Sequence, residues 1–157
     1  MFGYLGQAWA PLTTANKATW NAQADSKAIS PFNAYTGGNS NRWKSFKAPS
    51  KEFPAAEINS VGTGLTTNVV AGVGEVAIDA QLTGAVDNWT IMIFRSLTTA
   101  FATSKSNLVK VLTLDSTTLV AWTDSPLVPD TYYYNFRLGT DDGVLGPETG
   151  EQSAVVT

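Results

Sequence analysis

Asp141, Asp142 and Gly143 stand together, and two adjacent carboxylates ahead of a glycine could hold a calcium ion or divide acid and base work between them. The remaining oxygens of an EF-hand loop do not follow at the required spacing, and a hairpin turn explains the same three residues more simply. The chain has no His and no Cys. That excludes Ser-His-Asp and Cys-His nucleophilic sites, disulfides, and the commonest general base and metal ligand. Gly62-Thr63-Gly64 and Gly72-Val73-Gly74 neither open a helix nor precede a lysine, so they read as turns, not phosphate loops. Trp43, between Arg42 and Lys44, could stack on a base or a sugar, although packing is the commoner fate of such a ring. There is no Arg-Gly-Asp adhesion tripeptide. The expectation is a protein that is not an enzyme, with no catalytic residue, no cofactor and no metal.

The elements that would carry such residues are mostly strands. The best defined stretch is 119–138. A run of β-branched and aromatic residues over 119–123 leads into a loop punctuated by Asp124, Ser125, Pro126, Pro129 and Asp130. Tyr132, Tyr134, Phe136 and Leu138 then alternate with Tyr133, Asn135 and Arg137, which puts the first set on one face of a sheet. Leu127 and Pro129 cap the crossing loop, and the Tyr132 hydroxyl can return to that loop's backbone as a tyrosine corner.

Trp122-Thr123-Asp124 followed by Leu127-Val128-Pro129-Asp130-Thr131-Tyr132 resembles the E strand, E–F loop and F strand of a fibronectin type III domain. Asp130 stands where that family usually has Gly. Tyr132 is preferred to Tyr133 as the corner tyrosine because it is in phase with Phe136 and Leu138. The resemblance covers residues from about 55 to 157. It implies a mainly β fold, a seven-stranded immunoglobulin/fibronectin III-like sandwich with a short, partly helical N-terminal extension. The expected strands lie at 58–61, 75–81, 89–96, 107–112, 119–123, 132–138 and 153–157. Trp89 occupies a position where such sandwiches often bury a tryptophan. The strand over 89–96 is apolar on both faces and needs cover on both, from the N-terminal helices or a neighbouring subunit.

Two domains are expected: residues 1–53 as an aromatic-rich arm with one or two short helices, and 54–157 as the sandwich. Helix is predicted over 13–27 with Thr13 or Thr14 as cap, and a second short helix over 41–46 capped by Ser40 after a turn at Gly37-Gly38-Asn39. Pro49 and Pro54 mark a linker. The arm carries Phe2, Tyr4, Trp9, Trp20, Trp43 and Phe46, which either dock on a neighbouring subunit or fold back on their own domain. Trp20-Asn21-Ala22 and Phe32-Asn33-Ala34-Tyr35 resemble N-terminal segments of uncharacterised bacteriophage virion proteins.

Charged residues are 15% of the chain, below the usual quarter. Residues 1–53 carry a formal charge of +4 and residues 54–157 one of −7. A basic leader could meet a neighbour's acidic surface; nucleic acid is not the expected partner. No run reaches the roughly 18 apolar residues of a membrane span, and the first twelve residues lack the basic start of a secretory signal. The expectation is therefore a structural component of an assembled particle, specifically a bacteriophage virion protein (capsid decoration, vertex or tail-associated) assembled in the host cytoplasm. Its partners would be other copies of itself or other virion proteins. The alternative is an extracellular adhesion module binding a host carbohydrate or surface protein through loop residues 139–146.

Overall fold

The computed structural model describes residues 1–59, 61, 64–83, 88–114 and 119–157; the side chain of Phe2 lies outside that description. The chain divides into two compact units. One is Met1–Val61 together with Gly139–Leu145; the other is Gly62–Leu138 together with Gly146–Thr157. The division thus falls at Val61 and not at residue 53, and seven residues from the far end of the chain belong with the N-terminal unit.

The first unit is helical: α1 (Phe2–Trp9), α2 (Thr14–Thr19), α3 (Asn21–Lys27) and α4 (Pro31–Lys44). Thr13 caps α2, its hydroxyl accepting from the Asn16 amide at 3.1 Å. The single helix expected over 13–27 is two helices meeting at Trp20. The Thr19 hydroxyl donates to the Asn16 carbonyl at 2.6 Å and also accepts from the Phe53 amide at 3.0 Å. A side chain bonded to the preceding turn bends a helix there. Ser30 caps α4, with Pro31 at its first position.

α4 runs without interruption through Gly37-Gly38-Asn39, where a turn and then a separate short helix are expected. Two glycines in a helix cost about 2 kcal/mol relative to alanine. Gly38 has a packing reason: a Cβ there would stand 2.6 Å from Cζ3 of Trp20. Nothing in the structure explains Gly37. Asn39 is wholly buried, and its side chain pairs with the backbone of Ser50, donating to its carbonyl at 3.0 Å and accepting from its amide at 2.7 Å. The expected linker is consequently pinned: Ala48, Pro49 and Ser50 are buried, and Ser50 bridges to Asp142. Leu5, Trp20, Ala24, Ala34 and Tyr35 form the core of this unit, with Tyr4, Trp9 and Leu12 packed against it.

The second unit is a β-sandwich of two antiparallel sheets. Its eight described strands are β1 (Leu65–Ala71), β2 (Val76–Leu82), β3 (Thr90–Ser96), β4 (Leu108–Thr113), β5 (Val120–Asp124), β6 (Asp130–Gly139), β7 (Leu145–Glu148) and β8 (Gln152–Val156). One sheet has the order β1-β2-β5; the other runs β4-β3-β6-β7, with β8 also pairing with β6. Val76, Ile78, Ala80 and Leu82 of β2 point into the core, as alternate positions of a strand must. Residues Thr90 to Phe94 of β3 are all buried. On β6, Tyr132, Tyr134, Phe136 and Leu138 are buried together.

Two strands depart from expectation. The first strand is β1 and not 58–61; Ile58 is 82% exposed. β1 is an edge strand whose inward row is Leu65, Thr67 and Val69, so its alternation is blurred by Thr67. β7 contains Gly146-Pro147, which reads as a turn; edge strands tolerate proline because one side of the backbone has no partner.

Candidate functional site: an aromatic cleft in the helical unit

Polar side chains first decide which backbone segments meet in the helical unit. Trp20 donates its indole N–H to the Lys51 carbonyl at 3.0 Å. Arg42, on the last turn of α4, donates through Nε to the Ala48 carbonyl at 2.9 Å and through Nη2 to the Gly143 carbonyl at 2.7 Å, and it pairs with Glu57 at 2.8 Å. Gly143 has φ +107°, and any Cβ there would collide with the Arg42 guanidinium. Lys51 and Asp141 pair at 2.6 Å.

Asp142 is 2% exposed. One carboxylate oxygen accepts from the amides of Ile58 at 2.8 Å and Asn59 at 2.9 Å, and the other accepts from the Thr140 hydroxyl. Burial pushes its pKa up, but the bonds from Thr140, Asn59 and Ile58 outweigh burial and hold it below the usual carboxylate range. Hydrogen bonds from Lys47 and Arg42 likewise lower Glu57. The Asp141-Asp142 pair is therefore a clasp within its unit: one carboxylate faces a lysine and the other is filled by N–H and O–H donors. Among the described residues no three metal-ligating side chains come together.

The same tie-points frame an open cleft of about 250 Å³. Its walls are Trp20, Gly38, Arg42, Glu52, Phe53 and the Pro54-Ala55 turn. The Phe53 ring lies 5.4 Å from Trp20, inclined at 43°, and is 41% exposed. Among the described residues the Glu52 carboxylate has no hydrogen-bond or ion-pair partner, and Nη1 of Arg42 is uncommitted.

The residues expected to form a docking arm occupy different environments. Trp20 is 1% exposed and forms the centre of the helical core, so it offers no surface to a neighbour. Trp9 is half-buried, 5.2 Å from Tyr35 and 6.0 Å from Phe32, with Lys17 over its face. Tyr4 is half-buried against the core. Trp43 and Phe46 stack on each other at 5.4 Å, both half-buried. The side chain of Phe2 lies outside the described residues. The loop at 139–146, expected to meet a ligand, is largely buried: Gly139, Thr140, Asp142, Gly143 and Gly146 are inaccessible. Arg42, Glu52 and Phe53 were not singled out as a site by sequence reasoning. Nothing in their spacing announces a cleft, because Gly38 and the Asn39–Ser50 clamp bring them together.

In the sandwich, the Tyr132 hydroxyl donates to the Val128 carbonyl at 3.1 Å, beside Leu127 and Pro129. Tyr134 donates to Asp124 at 2.9 Å, and Arg95 pairs with the same oxygen at 2.7 Å. Burial and then the Asp124 carboxylate push the Tyr134 phenol far above its ordinary range. Glu148 accepts from the Thr103 hydroxyl at 2.6 Å, the Thr103 amide at 2.9 Å and Arg137 at 3.2 Å, which lowers its pKa.

No protein-family model matches the chain, and no curated protein matches it. Among solved structures it is similar to a family 76 glycoside hydrolase from a bovine Bacteroides thetaiotaomicron strain, at 14% identity over 58% of this chain and 20% of that one, with a TM-score of 0.44. The chain thus spans about a fifth of that enzyme. It is also similar to the soluble domain of PmoD from Methylocystis, at 12% identity over 59% and 89% with a TM-score of 0.39. A third similarity is to the CARDB domain of a Pyrococcus furiosus protein in complex with di-metal ions, at 14% identity over 59% and 87% with a TM-score of 0.35. At these scores none carries an argument about what this chain does. The expectation that the chain is not an enzyme is corrected: the similarity to a glycoside hydrolase removes the ground for that statement, and it supplies no activity in its place.

Proposed function

We propose that this chain is a structural component of an assembled particle, attached through the folded surface of its helical unit and not through an extended arm. The observation that carries this reading is apolar surface left in water. Ile29 and Phe32 are exposed at the start of α4, and Phe32 stands beside the half-buried ring of Trp9. Contiguous apolar surface on a protein marks an interaction site more often than chance. The sandwich is read as fibronectin III-like; β2 lies beside β5 and β6 lies between β3 and the last strands, and this order and the Tyr132–Val128 bond support that reading. A bacteriophage virion as the particle rests on the resemblance of the Trp20-Asn21-Ala22 and Phe32-Asn33-Ala34-Tyr35 segments. The partners are other copies of this chain or other proteins of the particle.

Light scattering across a concentration series tests the self-association part. The full chain is expected to exceed the monomer mass as concentration rises, and an Ile29→Ser, Phe32→Ser double variant to remain monomeric. A wild-type chain that stays monomeric at every concentration, and a double variant that associates like wild type, each overturn it.

A further inference from the structure

The cleft is not needed for attachment through Ile29 and Phe32, and its lining has the makings of a ligand site. Gly38 keeps α4 free of a side chain at the point where the Trp20 ring arrives, where a Cβ would lie 2.6 Å from the ring. The indole is fixed there by its bond to the Lys51 carbonyl, and the Phe53 amide by its bond to the Thr19 hydroxyl. The exposed Phe53 ring is thereby held against a rigid neighbour, a preorganised apolar platform. Beside it stand one uncommitted acceptor group, the Glu52 carboxylate, and one uncommitted donor, Nη1 of Arg42.

This combination selects among ligands. A purely apolar ring would strip water from Glu52 and Arg42 without replacing their hydrogen bonds. An anion would meet Glu52, and a cation would meet the Arg42 guanidinium. A neutral ring carrying several hydroxyls satisfies all three walls: its C–H face lies on Phe53, one pair of hydroxyls donates to Glu52, and another oxygen accepts from Arg42. The volume of about 250 Å³ lies just under the range of drug-sized sites and suits a single ring better than a chain. We infer that the Trp20–Phe53 cleft is a binding site for one neutral saccharide ring, with Phe53 as the stacking surface, Glu52 as the acceptor and Arg42 as the donor.

The test uses the full chain, nitrogen-15 labelled, titrated at millimolar concentrations with the methyl glycosides of glucose, galactose, mannose and N-acetylglucosamine, and separately with tetramethylammonium. At least one glycoside is expected to shift the Trp20 indole N–H and the Phe53 and Ala55 amide resonances. Glu52→Gln is expected to weaken that binding by about tenfold, the value of one hydrogen bond to a charged group. Phe53→Ala is expected to weaken it by about fivefold, and Phe32→Ala, an exposed aromatic outside the cleft, to leave it unchanged. The inference is overturned if no glycoside moves these resonances. It is equally overturned if tetramethylammonium moves them while the glycosides do not, or if the shifts survive both Glu52→Gln and Phe53→Ala. Because Ile29 and Phe32 are not cleft residues, these results stand apart from the light-scattering test of assembly.

Discussion

The two units of this chain are held in different ways. The sandwich is built from rows: Val76, Ile78, Ala80 and Leu82 on β2, and Tyr132, Tyr134, Phe136 and Leu138 on β6, each bury one face of a strand. The helical unit has a small core around Trp20 and Tyr35, and it is closed by single side chains that bind distant backbone: Asn39 to Ser50, Arg42 to Ala48 and Gly143, Asp142 to Ile58 and Asn59. Stability in the first case is shared among many apolar contacts. In the second it is concentrated in a few residues, so single substitutions should separate the two.

The largest effect is expected at Trp20. Replacing this fully buried ring by alanine removes the centre of the helical core and the bond to Lys51, and should cost about 3–5 kcal/mol. Urea denaturation followed through amide resonances of α3 and α4 measures it; a loss below about 1 kcal/mol would mean that the core is not organised around this residue. Asn39→Ala comes next. It strands a buried amide and a buried carbonyl of Ser50, with an expected cost of about 2 kcal/mol. No single polar residue of the sandwich makes such a two-ended clamp among the described bonds, so an equal loss from Asn135→Ala would blur the comparison.

Asp142 sharpens it through pH. Its folded-state pKa lies below the ordinary 3.8, so its contribution is fully present above that value and is lost as pH falls through the folded pKa. The helical unit should therefore lose stability on acidification below about pH 4, and Asp142→Asn should be destabilised by about 1–2 kcal/mol at neutral pH with a shallower acid slope. Parallel acid slopes for wild type and variant would contradict this. The smallest effect is expected at the sandwich corner: Tyr132→Phe removes the bond to the Val128 carbonyl and should cost about 1 kcal/mol in a denaturation experiment.

The difference between the units also governs what could be read from the sequence. Period-two rows are local, so β2, β3 and β6 are legible within a residue or two, and the buried tyrosines of β6 follow from phase alone. β1 and β7 escape because Thr67 and Gly146-Pro147 interrupt the rows, and edge strands tolerate such interruption. In the helical unit the informative residues have ambiguous local meanings. Gly37-Gly38-Asn39 is a turn by composition, yet Gly38 admits the Trp20 ring and Asn39 binds Ser50, eleven residues on. Asp141-Asp142-Gly143 reads as a hairpin tip, yet its partners Lys51, Ile58 and Asn59 lie more than 80 residues earlier. No pattern within a window reports such pairings. The cleft inherits that opacity, since Arg42, Glu52 and Phe53 meet only after the clamps have closed.

The account depends on residues 1–61 being a folded unit with Trp20 at its centre, and hydrogen exchange at the Trp20 indole N–H tests this most directly. Buried and bonded to the Lys51 carbonyl, that proton should exchange orders of magnitude more slowly than a free indole, together with the Ser50 amide held by Asn39. Exchange of both at the rate of an unstructured peptide would contradict it and return these residues to the role of an extended arm.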